Sequence, residues 1–151
     1  MFDRQKQASY PGKWTEKDGV IYFSVISDGT NGSDWISRLV LQNVSLHESA
    51  RDILRSSEFK PTRGTVYNCA VLKGELFWCN RTVKKIRAKA DKMKLEKPNA
   101  EVACLTIEKF SNEDINDMGL RLLLVMHEPI NGDILCIDRD RHDHIELRVF
   151  Y

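Results

Sequence analysis

Asn99-Ala100-Glu101-Val102-Ala103-Cys104-Leu105-Thr106-Ile107-Glu108-Lys109-Phe110 is the stretch on which the fold class turns. Ala103, Ile107 and Phe110 stand at offsets of four and three, a helical stripe that Asn99 can cap. The unbroken apolar run 102–105 suits a buried strand equally well. We read the stretch as a helix. Upstream, residues 19–26 are rich in β-branched and aromatic side chains and stop at the Asp28-Gly29 turn, so they read as a strand. Residues 65–72 are a second buried strand, turning at Gly74. Between these strands lie two helices. Ser33 caps a stripe of Trp35, Ile36, Leu39 and Val40, and Ser45-Leu46-His47-Glu48 is a capping box ahead of Ala50, Ile53 and Leu54.

Downstream, Ser111-Asn112-Glu113-Asp114 opens a short acidic helix closed by Gly119. A central strand over 122–126 follows, then the Asn131-Gly132-Asp133 hairpin signal and strands over 134–137 and 145–151. With the helix of the basic segment 81–97 included, the order is β, α, α, β, α, α, α, β, β, β. Regular βαβ alternation is missing. That argues an α+β fold, a mixed or largely antiparallel sheet with helices packed on one face. Residues 1–18 carry Pro11, Gly12 and mixed charges without periodicity, and read as a loose N-terminal arm that packs through Tyr10 and Trp14. Residues 19–151 read as a single α+β domain.

With 151 residues, 42% hydrophobic and 30% charged, the chain is long enough to bury a core and shows no compositional sign of disorder. Its net charge of +1 conceals an asymmetry. Residues 1–97 hold 18 Lys+Arg against 11 Asp+Glu (+7), while residues 98–151 hold 5 against 11 (−6). No apolar segment follows the polar opening Met1-Phe2-Asp3-Arg4-Gln5-Lys6-Gln7, and the aliphatic run 122–126 is too short to cross a bilayer. The expectation is a cytoplasmic protein without a membrane partner. Cys69, Cys79, Cys104 and Cys136 form no CxxC pair and read as apolar fillers or surface thiols rather than disulfides.

Several stretches carry residue types with chemical potential. The loop from Asp28 to Ser33 sits between strand and helix, where backbone amides can hold a phosphate, but it has no Walker lysine, and Asp28 and Asp34 repel an anion. His127 and Glu128 follow an aliphatic strand. Adjacent strand residues point to opposite faces, so they form no acid/base dyad without a kink. The plain alternative is a strand-terminal His bonded to backbone. In Asp138-Arg139-Asp140-Arg141-His142-Asp143-His144, an extended chain puts Asp138, Asp140, His142 and His144 on one face, where two can ligate one divalent metal, and His127 or His47 supplies a further ligand if the fold brings it close. If the run bends into a hairpin, the face is lost and it is a solvated charged turn. HExxH, GxSxG and zinc-finger spacings are absent from the sequence.

Helical spacing puts Val83, Ile86, Ala90 and Met93 inward and leaves Arg81, Lys84, Lys85, Arg87, Lys89 and Lys92 mostly outward, with Asn80 as the cap. Such a face neutralises phosphates, and Trp78 just before it can stack on a base. A charged outer face is also what any amphipathic helix shows. A helix-turn-helix over 34–57, with Arg38, Arg51 and Arg55, is a weaker nucleic-acid candidate because its link lacks the usual glycine.

Ser27-Asp28-Gly29-Thr30, Phe59-Lys60-Pro61-Thr62, Ala70-Val71-Leu72-Lys73-Gly74, Ile86-Arg87-Ala88, Lys97-Pro98-Asn99-Ala100-Glu101-Val102-Ala103-Cys104-Leu105 and Val125-Met126-His127-Glu128-Pro129-Ile130 together carry a resemblance. Over residues 25–139 the chain resembles a family of small bacterial proteins from candidate-phylum genomes, to which no activity is assigned. The resemblance therefore implies no catalytic residue and no cofactor.

The reading that results is a non-enzymatic binding or adaptor protein acting through charged surfaces on a protein partner. One alternative is a nucleic-acid binder using the basic helix 81–97, through Trp78, Arg81, Lys84, Lys85, Lys89 and Lys92. The other is a metal-dependent enzyme at His127 and 138–144, the one case that requires a divalent metal.

Overall fold

The computed structural model describes residues 1–3, 13–77 and 82–150. The strands form two four-stranded sheets. In the first, β1 (Phe2–Asp3), β2 (Thr15–Lys17), β3 (Val20–Asp28) and β5 (Arg63–Leu72) are antiparallel in the order β1-β5-β3-β2. The second runs β4 (Ser45–Leu46), β8 (Ile145–Phe150), β7 (Ile134–Arg139) and β6 (Leu122–Leu124), with β4 parallel to β8 and the other pairs antiparallel. The α+β class expected from the element order holds. The strands divide between two sheets because the central helix needs apolar cover on both sides.

That helix is α4 (Glu101–Lys109), the stretch that read equally well as a strand. Seven consecutive residues of it, Glu101 through Ile107, are buried. An amphipathic helix buries one stripe, but one enclosed all round must be apolar all round, which is why the run 102–105 hid its period. It packs on β3 and β7, and α1 (Gly32–Leu41) and α2 (Glu48–Arg55) close the layer. Ile21, Phe23 and Val25 from β3, Tyr67, Cys69 and Val71 from β5, and Leu135, Ile137, Leu147 and Val149 from the second sheet join α4 in one core. Phe110 stacks edge-on against Phe23 at 4.8 Å.

A smaller core lies on the opposite face of the first sheet. There Val20, Ala70 and Phe2 meet Met126, Ile134 and the inner stripe of α3 (Val83–Lys92). A short α5 (Asn112–Asp117) follows α4 and carries a complete capping box between Ser111 and Asp114, where the acidic helix was expected.

Several local expectations change. Residues 1–18 are no loose arm where they are described: Met1, Phe2 and Asp3 are buried, and Thr15–Lys17 pairs with Val20–Tyr22 as β2. Trp14 packs edge-on against Phe110 as expected, while Tyr10 lies outside the described residues. Asn31, not Ser33, caps α1, its Oδ1 accepting from the Asp34 N–H at 2.9 Å. The Ser45 capping box does not form. Ser45–Leu46 is instead drawn into parallel pairing with Glu146 and Leu147, and α2 starts after His47, whose N–H donates to the Leu147 carbonyl. The stretch expected as a central strand over 122–126 is three residues long and lies at a sheet edge.

That edge is where residues 1–3 join the sheets. The Met1 nitrogen donates to the Leu124 carbonyl at 2.8 Å, while Phe2 and Asp3 pair with Ala70 and Cys69 of β5. Asp3 also exchanges two backbone hydrogen bonds with Glu96, each 3.0 Å.

Candidate functional site

The basic helix forms, shifted in its limits. Thr82, not Asn80, is the cap: its Oγ1 accepts from the Lys85 N–H at 3.2 Å, and α3 then runs from Val83 to Lys92. Residues 93–97 leave the helix, with Lys94 at φ 57° and the Leu95 N–H returning to the Ala90 carbonyl at 2.9 Å. Val83, Ile86, Ala90 and Met93 face the smaller core, as the spacing predicted. Lys84, Lys85, Lys89 and Lys92 are exposed. Their helical angles put Lys85, Lys89 and Lys92 within one narrow arc, and the four span about 12 Å along the axis. Lys89 and Lys92 stand in the last turn, where the helix dipole favours positive charge. Trp78 and Arg81, the other two nucleic-acid candidates, lie outside the described residues.

Several other cations are held by the chain's own groups. Lys13 pairs with Asp114 at 2.9 Å, Arg38 with Glu108 at 2.7 Å and Lys97 with Glu128 at 2.6 Å, each pair joining the basic part of the chain to the acidic part. Lys73 pairs with Glu16, and Arg148 with Asp138. Lys109 is half-buried and donates to the Ser24 carbonyl on the β3 edge, where β2 has ended, and burial lowers its pKa. Among the described residues no carboxylate lies within ion-pair distance of Lys84, Lys85, Lys89 or Lys92. Part of the charge split of the sequence is thus met inside the molecule, and α3 gathers four exposed cations, without an ion pair among the described residues, on one short helix.

The helix-turn-helix reading fails. Arg38 is held by Asp28 and Glu108 and lies over the Trp35 ring at 4.0 Å, Arg51 donates to the Leu46 carbonyl, and Arg55 reaches Glu48 at 3.4 Å. The segment joining α1 to α2 is itself a strand, so the two helices form no independent reading unit. The phosphate-loop candidate closes on itself: Asp28 Oδ1 accepts the Thr30 N–H at 3.1 Å, occupying a donor an anion needs. The Thr30 hydroxyl, which donates to the same oxygen, and Arg38 hold the Asp28 carboxyl down to about 2.

The metal candidates are dispersed. The 138–144 run bends: β7 ends at Arg139, and Asp140 Oδ1 accepts the His142 and His144 N–H groups at 2.7 and 2.9 Å, tying a solvated hairpin turn. Asp138 is taken by Arg148, with contacts of 2.9 and 3.1 Å. The shared face existed only for an extended chain. Among the described residues no three His, Cys, Asp or Glu side chains gather to hold a metal.

His127 is 1% exposed and far from that turn in register, beside Leu135. Its Nε2 accepts the Leu135 N–H at 2.9 Å and its Nδ1 donates to the Glu128 carbonyl at 2.7 Å, which fixes the neutral Nδ1–H tautomer. Burial holds its pKa below the ordinary imidazole value. The ring serves the backbone, with two hydrogen bonds where one was expected. Glu128 points out to Lys97, so the pair forms no dyad.

A buried carboxylate escaped the sequence reading altogether. Glu101, 1% exposed, accepts the Thr62 N–H on both oxygens, the Thr62 hydroxyl at 2.6 Å and the Tyr67 hydroxyl at 2.6 Å. Asn99 Oδ1 receives the Glu101 N–H at 3.0 Å. These contacts latch the start of α4 to the first sheet. Burial and the adjacent carboxylate push the Tyr67 phenol well above its usual range. Cys69, Cys104 and Cys136 are free and buried, with thiols raised by burial, Cys136 to about 11; Cys79 lies outside the described residues. Among the described residues no helix is long and apolar enough to cross a membrane. The chain matches no protein-family model, no curated protein and no solved structure.

Proposed function

We propose that this chain is a non-enzymatic binding or adaptor protein that presents the cationic face of α3 to an acidic surface on a protein partner. One observation carries the reading: Lys84, Lys85, Lys89 and Lys92 stand exposed on one short helix with no ion pair among the described residues, while Lys13, Arg38, Lys73, Lys97 and Arg148 are neutralised by the chain's own carboxylates. A cation left without an internal partner attracts an external one and steers its approach. The patch is short, is flanked by Asp91 and Glu96, and belongs to a chain with net charge +1. That suits a local carboxylate cluster better than a long polyphosphate. The reading places the protein in a reducing, cytoplasmic setting, consistent with buried free thiols. It is carried together with the resemblance to the candidate-phylum family.

A pull-down with the intact chain, compared with the Lys84→Glu, Lys85→Glu, Lys89→Glu variant and scored for protein and nucleic acid, tests it. An acidic protein captured by the wild type, released by salt and lost in the variant is the expected result. Captured nucleic acid whose binding constant falls with a log–log salt slope of about −3, as four phosphate contacts give, replaces the protein partner with a polynucleotide. Metal-dependent turnover lost in His142→Ala overturns both.

A further inference from the structure

The connection between β6 and β7 is built around one ring. The Val125 N–H donates to the Leu135 carbonyl at 2.9 Å, and the His127 N–H turns back to the Val125 carbonyl at 2.9 Å, so the main chain has left the ladder by residue 127. Pairing resumes at Ile130 and Asp133, which exchange two bonds of 3.0 Å. Between these points the Leu135 N–H has no backbone acceptor. The His127 Nε2 fills that vacancy, and its Nδ1–H ties down the Glu128 carbonyl.

We propose that His127 is a pH-operated catch: its neutral ring closes the 125–130 connection onto β7, and protonation of the ring releases it. The chemistry is directional. A proton added at Nε2 points at the Leu135 N–H, opposing two donors inside a site where the ring is 1% exposed. The ring must then leave its seat, and the Leu135 N–H and the Glu128 carbonyl pass to water.

The charged groups around the ring set the balance. On its own segment, the Glu128 carboxylate favours the imidazolium, but that charge is held outward by Lys97. From α3, Arg87 opposes it. Glu58 and Lys60, of opposite sign, share with Glu128 the cleft of about 230 Å³ over the ring's outer side. Burial and Arg87 together keep the catch closed at neutral pH, and the cleft gives water a route to it as the ring leaves. Release also frees Glu128 from Lys97, the contact that ties this connection to the segment leaving α3.

Amide exchange by NMR on the intact chain between pH 7.5 and 5.0 tests the catch. After correction for intrinsic exchange, protection at Leu135 falls at least tenfold by pH 5.0 while Tyr67 on β5 holds. In His127→Gln, which keeps an acceptor that does not titrate, Leu135 shows no such fall. Unchanged protection in the wild type, an equal fall in His127→Gln, or loss at Leu135 and Tyr67 in step overturns the proposal. Should the variant not fold, the wild-type ring ¹⁵N shifts decide. Conversion from the Nδ1–H tautomer to imidazolium together with loss at Leu135 supports the catch, and a ring still neutral at pH 5.0 overturns it.

Discussion

α3 and α4 are consecutive helices of ten and nine residues, and they have opposite lives. α4 buries seven residues in succession between two sheets, whereas α3 buries Ala90 and lays a narrow stripe over the smaller core. What separates them is where their charges go. Glu101 of α4 is taken inside and satisfied by Thr62 and Tyr67, while the lysines of α3 stay in water with no ion pair among the described residues. A helix whose charge is internalised fixes the fold. One whose charge is left over is available for recognition.

The sharpest way to break that contrast is to cut into α4. Ile107→Ala removes a buried side chain from the main core and is expected to cost about 3 kcal/mol, read as a shift in the urea midpoint at constant slope. Tyr67→Phe, which takes one hydroxyl from the Glu101 carboxylate, is expected to cost about 2 kcal/mol by the same measurement. The matching change on α3, Ile86→Ala on its half-buried stripe, is expected to cost about 1 kcal/mol. Replacing Lys84, Lys85 and Lys89 by Ala is expected to move stability by less than about 0.5 kcal/mol each while abolishing partner capture. A large stability loss from the lysines alone would erase the distinction between the helices.

Acid acts elsewhere, at the buried His127 ring. The folded-state pKa of His127 lies below the ordinary 6.5, so the folded protein resists a proton that the unfolded chain accepts. The stability this gives is complete above about pH 6.5 and is lost as pH falls through the folded value. Urea midpoints measured from pH 8 to 5 are expected to be level at first and to decline below about 6.5, with the decline reduced in His127→Gln. The smallest effect is expected at Asp28: its carboxyl is expected to titrate at about 2 by NMR and to move up in Arg38→Ala.

The sequence pattern made the strands β3 and β5 legible because each is long, β-branched and bounded by Gly or charged turns. α3 was legible because Val83, Ile86, Ala90 and Met93 keep the helical period against lysines. Three features were not. Ser45–Leu46 carries the letters of a helix start, yet its partners Glu146 and Leu147 lie a hundred positions on, and no local rule sees a parallel pairing at that range. Glu101 looks like an ordinary acidic first turn. Only the knowledge that the following run is enclosed on all sides reveals that its carboxylate must be paired inside. The Asp138–His144 metal face depended on an extended backbone, and the Asp140 carboxylate, by accepting two amides, makes the turn that dissolves it.

The stitching of residues 1–3 has a consequence for the order in which the molecule assembles. Phe2 and Asp3 wait for Cys69, Ala70 and Glu96, and the Met1 contact with Leu124 spans 123 positions. During synthesis on the ribosome these residues emerge early and are secured late, after β5, the segment beyond α3 and β6 have been made. The loop such a contact closes is long, so its formation belongs to the slow end of folding. Until then the outer edge of β6 stands open, and a nascent chain halted before residue 124 has both halves of its first sheet but nothing to seal them to the second.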